Sequence, residues 1–206
     1  HTYLGNPDEA MSAFQRAVQA APEDPNVRVR LATALNDTGA HADALGVLDQ
    51  AVALAKEPVV AGFLFLQRGI ALNALARPDA AVAALDLVGE LGGDAHALAA
   101  LGLQRAAALN ALDRPTEALE ALEALDALDA AGGAARPGPV AAQRAAALNA
   151  LGRHEEALQA IPDARADAST AKAAWLEDGI ALVGVGRAAD ALAVLDPMVG
   201  ELVGPA

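Results

Sequence analysis

The chain has 206 residues, of which 54% are hydrophobic and only 2% aromatic, and its formal net charge is -13. Alanine and leucine supply much of the apolar share and favour helices, whereas sandwiches and barrels need β-branched and aromatic residues, so the composition predicts an all-α protein. The acidic balance argues against binding to nucleic acid or to an anionic membrane surface, and the lack of cysteine excludes disulfides and thiolate metal sites.

No uncharged apolar run approaches the ~20 residues that a membrane-spanning helix needs. The stretch 58–66 is among the longest, and Gln67 and Arg68 end it. No signal peptide is visible, which predicts a cytoplasmic protein, although a chain that begins at His1 leaves its native N-terminus open. Abundant alanine and a preference for arginine over lysine are what a GC-rich bacterial genome produces.

A repeated segment organises the chain. It reads QRGIALNALARPDAAVAALD at 67–86, QRAAALNALDRPTEALEALE at 104–123 and QRAAALNALGRHEEALQAIP at 143–162. The last two copies are identical at fourteen of twenty positions without a gap. Internal repetition of this kind predicts a stack of similar structural units.

Each copy divides into two amphipathic helices. The pattern LNALxR ends the first helix at an arginine, often with glycine or proline beside it, and an acidic residue such as Glu117 opens the second. Beyond the break, apolar residues recur at helical spacing, as in Ala118, Leu119, Leu122 and Leu125. The unit is therefore two helices joined by a tight turn.

An alanine early in each second helix sets the phase of the repeats. These alanines are Ala10, Ala44, Ala81, Ala118, Ala157 and Ala191, with spacings of 34, 37, 37, 39 and 34 residues. The excess over 34 falls in linkers such as 91–95 and 130–138, where glycine and proline allow a loop. We predict a single array over 1–206, with units at roughly 1–24, 25–58, 62–94, 99–131, 138–168 and 172–204.

The residues resemble those of the tetratricopeptide repeat family, best in the second unit. Leu31 and Ala32 fall on the Leu-Gly pair of its motif, and Gly39 lies in its turn; Trp175 takes the tryptophan position of the last unit. The resemblance covers essentially the whole chain. It implies an all-α fold, an α-solenoid superhelix of about six helix-turn-helix repeats, with the first one truncated and the first helices lining a concave groove. Three arginines depart from the motif, which usually has leucine there: Arg68, Arg105 and Arg144.

Amide side chains recur along the first helices and form the candidate partner-binding site. The residues are Asn36, Asn73, Asn110 and Asn149, with Gln67, Gln104 and Gln143 on the other flank of the same face. At 100° per residue these positions are predicted to face the groove. Amides both donate and accept hydrogen bonds, which suits a peptide backbone, and groove asparagines serve that role in the family. The alternative is that duplication simply copied these residues.

Other candidate groups are weaker. Phe63 is predicted on the same face, either as a ligand anchor or as a contact between repeats. A row of arginines after the first helices could bind anions, but pairing with the helix C-terminus and with neighbouring acids is favoured. These are Arg77, Arg114, Arg153 and Arg187.

Catalysis finds little support in the sequence. The four histidines lie in different units without metal-ligand spacing, and His154-Glu155-Glu156 lacks the second histidine of a zinc protease motif. The glycines at 184 and 186 imitate a dinucleotide fingerprint inside a predicted helix and turn. We predict a protein that is not an enzyme, with no catalytic residue, cofactor or metal.

Three functions are consistent with this pattern. The favoured one is a scaffold that binds a protein or peptide partner in its concave groove. The alternative is a regulatory or sensor arm of a larger bacterial signalling protein, such as a caspase-like peptidase or a transcriptional regulator, and a stand-alone enzyme is third. The apolar stripe of the last helix also suggests self-association through the C-terminal helix.

Overall fold

The computed structural model describes residues 7–91, 94–130 and 137–203, and within these ranges the chain forms eleven α-helices and no strand. The helices are α1 (Pro7–Ala20), α2 (Pro25–Asp37), α3 (His41–Val52), α4 (Pro58–Ala74), α5 (Pro78–Leu91), α6 (Ala95–Ala111), α7 (Pro115–Ala130), α8 (Pro137–Ala150), α9 (His154–Ala166), α10 (Ala171–Gly184) and α11 (Ala188–Val203). The predicted all-α class is therefore confirmed. None of the described helices is both long and apolar enough to span a bilayer.

The even-numbered helices from α2 to α10 are the first helices of the repeats, and the odd-numbered ones are the second helices. Helix α1 contains Ala10 and is thus the second helix of the first unit. The predicted truncated first helix of that unit would lie at residues 1–6, outside the described ranges.

Proline starts several of these helices. It occupies the first helical position of α2 and α4, where its missing N–H costs no intrahelical hydrogen bond. The side chain of Asp24 also caps α2 by accepting a hydrogen bond of 2.9 Å from the Asn26 backbone N–H. Local sequence thus fixes where the helices begin.

All five turns from a first helix to a second helix share one backbone geometry. One residue in each turn has positive φ: Gly39 (82°), Ala76 (52°), Asp113 (56°), Gly152 (71°) and Gly186 (79°). The following N–H reaches back to the helix, as in Arg77 N to Leu72 O at 2.9 Å and Arg153 N to Leu148 O at 2.9 Å. This is the Schellman ending, which strongly favours glycine at the left-handed position.

We expect Ala76→Gly to raise the free energy of unfolding by about 0.5–1 kcal/mol, because alanine is strained at positive φ and glycine is not. Urea denaturation followed by circular dichroism measures the change. Asp113→Gly is the matched control, since aspartate tolerates this conformation and should gain less. Equal or lower stability of the Ala76 variant would contradict the strain argument.

The chain divides into two compact units, His1–Ala108 and Leu109–Ala206, and the division falls inside α6. In the first unit, α2 packs on α3 and α4 on α5, and the first helices α2 and α4 also contact each other. In the second unit, α8 packs on α9 and α10 on α11, with the first helices α8 and α10 in contact. The single array over 1–206 stays a prediction.

Five of the six alanines that set the repeat phase are buried, and Ala10 is partly buried. Ala44, Ala81, Ala118 and Ala157 are completely buried. Large apolar side chains surround them, among them Leu48, Leu85 and Leu122, which are completely buried too. Small residues at these points let the paired helices approach closely, which fixes the positions of the first helices and of the side chains they carry.

Candidate partner-binding site

In the first unit, asparagines join consecutive first helices. The Nδ2 of Asn36 on α2 donates to the backbone carbonyl and to the Oε1 of Gln67 on α4, both at 3.0 Å. Asn73 on α4 repeats the arrangement with Gln104 on α6, at 2.8 Å to the carbonyl and 3.0 Å to Oε1. Each asparagine therefore links two first helices and holds one glutamine side chain.

The second unit contains the same link twice. Asn110 donates to the carbonyl of Gln143 at 2.9 Å and to its Oε1 at 3.0 Å. Asn149 donates to the carbonyl of Glu177 at 2.8 Å and to its Oε2 at 2.9 Å. Glu177 is not among the candidate residues predicted from the sequence, although it stands 14 residues before Ala191, as Gln143 stands 14 before Ala157.

These contacts give the asparagines and glutamines different roles. Asn36 and Asn149 are only 8% and 7% exposed, and the amide donors of all four asparagines are engaged inside the protein. The glutamines are partly exposed, and their Nε2 groups donate no hydrogen bond to another described residue. The angular positions along a single helix predict that both the asparagines and the glutamines face the groove. In the structure, the asparagines instead point to the neighbouring first helix, which accepts their hydrogen bonds. The first helices therefore present the Nε2 groups of three glutamines: Gln67, Gln104 and Gln143.

Whether the Oδ1 atom of each asparagine has a hydrogen-bond partner depends on the residue five positions later in the chain. Where that residue is histidine, its Nδ1 lies at hydrogen-bond distance from Oδ1: 3.2 Å for His41 and Asn36, and 3.1 Å for His154 and Asn149. Asn73 and Asn110 are followed by prolines instead, and their Oδ1 atoms are buried without a hydrogen-bond partner. The amides of Asn73 and Asn110 thus have fewer hydrogen bonds than those of Asn36 and Asn149.

Phe63 lies on α4, one turn before Gln67. It is half-buried and packs against the buried cluster of Leu66, Leu85, Val88 and Ala97. Its ring therefore contributes to packing of α4 against its neighbours in the first unit, and part of it stays accessible.

The arginines that depart from the repeat motif form ion pairs with the preceding second helix. Arg68 reaches Asp49 at 2.6 Å, Arg105 reaches Asp86 at 2.9 Å and Arg144 reaches Asp126 at 2.7 Å. In the last unit the polarity is reversed: Arg165 of α9 pairs with the buried Asp178 of α10 at 2.9 Å. Arg165 also lies over the ring of Trp175, 6.0 Å from its centroid. Ion pairs thus supplement the amide links between repeats.

Most of the turn arginines pair with an acid three residues later. The distances are 2.6 Å for Arg114 and Glu117, for Arg153 and Glu156, and for Arg187 and Asp190. The hydrogen bond from Arg153 lowers the pKa of the Glu156 carboxyl, and the same bond raises the pKa of Arg153. Each of these local pairs places a carboxylate beside a turn arginine, the arrangement that the sequence favours over an anion-binding row.

The two sequence motifs that imitate a zinc site and a dinucleotide-binding loop lie at helix ends and in a turn. His154 starts α9, and its ring lies against Gly184 at the end of α10, where a Cβ would fall 2.1 Å from the histidine Cδ2. Gly186 is the left-handed residue of the last turn. Within the described ranges, no group of three or more His, Cys, Asp and Glu side chains could hold a metal ion.

Paired helices, Schellman turns and amide links that recur in phase define a helical-repeat protein. Residues 3–64 match the tetratricopeptide repeat family model. The chain is also similar to the crystal structure of YrrB, a TPR protein with an unusual peptide-binding site, with a TM-score of 0.64 and 20% identity over 91% of each chain. The crystal structure of MamA gives a TM-score of 0.59 and 20% identity, over 77% of this chain and 81% of that one. No curated protein matches. The chain therefore has the tetratricopeptide-repeat fold, and the resemblance seen in its sequence is confirmed.

Proposed function

We propose that this protein is a non-catalytic scaffold that binds a partner polypeptide along the faces of its first helices. The tetratricopeptide-repeat fold is typical of protein-interaction scaffolds. The observation that carries the proposal is the set of glutamines whose Oε1 atoms are held by an asparagine while their Nε2 donors are unused: Gln67, Gln104 and Gln143.

The asparagines act as positioning residues in this proposal. A free glutamine side chain loses rotamer entropy when it forms a hydrogen bond to a ligand. Here the bond from Asn73 Nδ2 to Gln104 Oε1, at 3.0 Å, already restricts that side chain before any partner arrives. Each held Nε2 can then donate to a backbone carbonyl of a bound polypeptide at a reduced entropic cost.

The surroundings of these glutamines favour an uncharged segment of the partner. One turn beyond each glutamine stands a half-buried apolar residue on the same helix: Ile70, Ala107 and Ala146. The first helices that carry these glutamines, α4, α6 and α8, contain no acidic residue, whereas exposed acids such as Glu120 and Glu123 lie on the second helix α7. The partner segment at the first helices is therefore expected to combine backbone carbonyls with small apolar side chains.

Gln67→Ala, Gln104→Ala and Gln143→Ala combined are expected to weaken partner binding at least about tenfold, because three donors are lost at about 0.5–1.5 kcal/mol each. Immobilised protein would capture the partner from a lysate of the source organism, mass spectrometry would identify it, and calorimetry would measure the affinity. The glutamines can be changed without breaking the asparagine link to the backbone carbonyl, so the variant should keep its fold, which circular dichroism checks.

The control variant carries Gln50→Ala and Gln159→Ala, two exposed glutamines on second helices. It should bind the partner like the wild type. Equal binding by the first-helix variant and the wild type would place the binding surface elsewhere and refute the proposal.

A further inference from the structure

Three consecutive first helices of the first unit carry hydrogen-bond donors at one repeat position. Gln67 on α4 and Gln104 on α6 hold this position, and Arg30 on α2 stands 37 residues before Gln67, which is also the spacing of Ala44 and Ala81. Arg30 is exposed, and a guanidinium has N–H donors and no acceptor. We call Arg30, Gln67 and Gln104 the donor row.

The hydrogen bonds of Asn36 determine which end of the Gln67 amide faces outward. The backbone carbonyl of Gln67 can only accept, so the group of Asn36 that lies 3.0 Å from it must be the Nδ2 donor. The same Nδ2 lies 3.0 Å from the side-chain amide of Gln67, which must therefore turn its Oε1 acceptor inward and its Nε2 donor outward. The same argument applies to Asn73 and Gln104.

A row of donors suits a backbone that offers carbonyls without N–H groups. An ordinary extended peptide also carries N–H groups, and each one that loses water against the donor row without finding an acceptor costs free energy. Proline has no N–H, and the polyproline II helix makes no internal hydrogen bonds, so its carbonyls are all free to accept. The donor row therefore favours a proline-rich backbone over other extended backbones.

The spacing of the first helices matches the repeat of this conformation. Helix α2 contacts α4, and Leu66 of α4 and Ala97 of α6 belong to one buried cluster. Packed helices lie about 8–10 Å apart. A polyproline II helix has three residues per turn and advances about 9 Å in one turn. Successive donors of the row can thus each meet the carbonyl of every third residue of a bound segment.

Apolar side chains flank the donor row on α4. Phe63 lies one turn before Gln67 and Ile70 lies one turn after it, so the three residues share one face of the helix. Phe63 and Ile70 are both half-buried, and both pack against the same buried cluster, which holds them in place. Aromatic-lined grooves bind proline-rich segments because the polyproline II helix is already ordered before it binds. Phe63 and Ile70 offer such a surface beside the donor of Gln67.

We infer that the partner segment is a proline-rich stretch in the polyproline II conformation. Its carbonyls accept hydrogen bonds from the donor row, and its proline rings pack on Phe63 and Ile70. The inference rests on the proposed function, since it names the occupant of the binding face proposed there.

An acetylated and amidated decaproline peptide is the probe, because its prolines have no backbone N–H. Isothermal titration calorimetry of the full chain, with peptide concentrations up to about 1 mM, should show saturable binding. A glycine-serine peptide of the same length and end groups has backbone N–H groups and no preference for this conformation. It should bind at least about tenfold more weakly.

Gln67→Glu and Gln104→Glu combined should weaken decaproline binding at least about tenfold, because each change replaces an outward donor by an acceptor. The variant should keep its fold, since the chain itself carries glutamate at this repeat position: Glu177 accepts the hydrogen bond of Asn149 at 2.9 Å. Circular dichroism checks the fold.

The matched control carries Gln50→Glu and Gln159→Glu, which add the same charge at exposed positions of second helices. It should bind decaproline like the wild type. Equal binding of decaproline by the wild type and by the variant with glutamate at 67 and 104 overturns the inference, because the contact then lies elsewhere.

A wild-type chain that does not bind decaproline, or that binds the glycine-serine peptide equally well, also overturns the inference. The natural partner distinguishes this failure from failure of the proposed function. If the captured partner is lost on combined Gln67→Ala, Gln104→Ala and Gln143→Ala while decaproline does not bind, the proposed function stands and only the proline-rich occupant is wrong.

Discussion

Asn149→Asp is expected to lower the free energy of unfolding by about 3 kcal/mol. Asn149 is 7% exposed, and its Nδ2 donates to the carbonyl and to the Oε2 of Glu177 at 2.8 and 2.9 Å. The change of one atom removes both donors and places a carboxylate against two acceptors, one of which is charged. Leaving these groups unpaired in a covered position costs far more than the same change at the surface.

Urea denaturation followed by the fluorescence of Trp175, on the same helix as Glu177, measures this loss. Gln159→Glu makes the same change of charge at an exposed position of α9 and should cost less than about 0.5 kcal/mol.

Adding Glu177→Gln to Asn149→Asp should recover part of the stability, since the new Nε2 can donate to the aspartate. Equal stability of the Asn149 variant and the Gln159 control would show that the asparagine does not link α8 to α10.

Gly69→Ala is expected to destabilise the first unit by about 1–3 kcal/mol, although alanine favours helices over glycine. A Cβ at Gly69 on α4 would lie 2.5 Å from both Cγ and Cδ2 of Leu85 on α5. Leu85 is completely buried, so its side chain cannot move away without disturbing the core. The overlap therefore outweighs the gain in helix propensity.

Gly46→Ala provides the opposite case. Gly46 lies in α3, is exposed, and a Cβ there would meet nothing within 4 Å. Its replacement should raise the free energy of unfolding by about 0.5–1 kcal/mol through helix propensity alone. Thermal denaturation of both variants should give shifts of opposite sign. A Gly69 variant that melts at or above the wild-type temperature would contradict the close approach of α4 and α5.

The sequence predicted the fold because its signals are local and repeated. Helix starts are marked by prolines such as Pro25 and Pro58, and the turns by residues such as Gly39 and Gly152. The alanines that set the phase are small because they lie where two helices meet, and five of the six, from Ala44 to Ala191, are buried. Each of these features depends on one helix pair only.

The candidate site was predicted less well because its geometry depends on neighbouring pairs. A single-helix projection placed Asn110 and Gln143 on an open face, but it cannot show that the asparagine of one first helix reaches the glutamine of the next. The departure of Arg144 from the motif likewise has its reason in Asp126, 18 residues earlier in the preceding second helix. Aligning all units at the glutamine position would have found Glu177.

Binding of a partner to the held glutamines on the first helices is tested most directly by nitrogen-edited NMR of side-chain amides. Labelled protein would be titrated with the partner segment recovered by capture. We expect the Nε2 signals of Gln67, Gln104 and Gln143 to shift on binding, while those of Gln50 and Gln159 stay in place. Shifts at Gln50 and Gln159 with unchanged signals from the three first-helix glutamines would contradict the account.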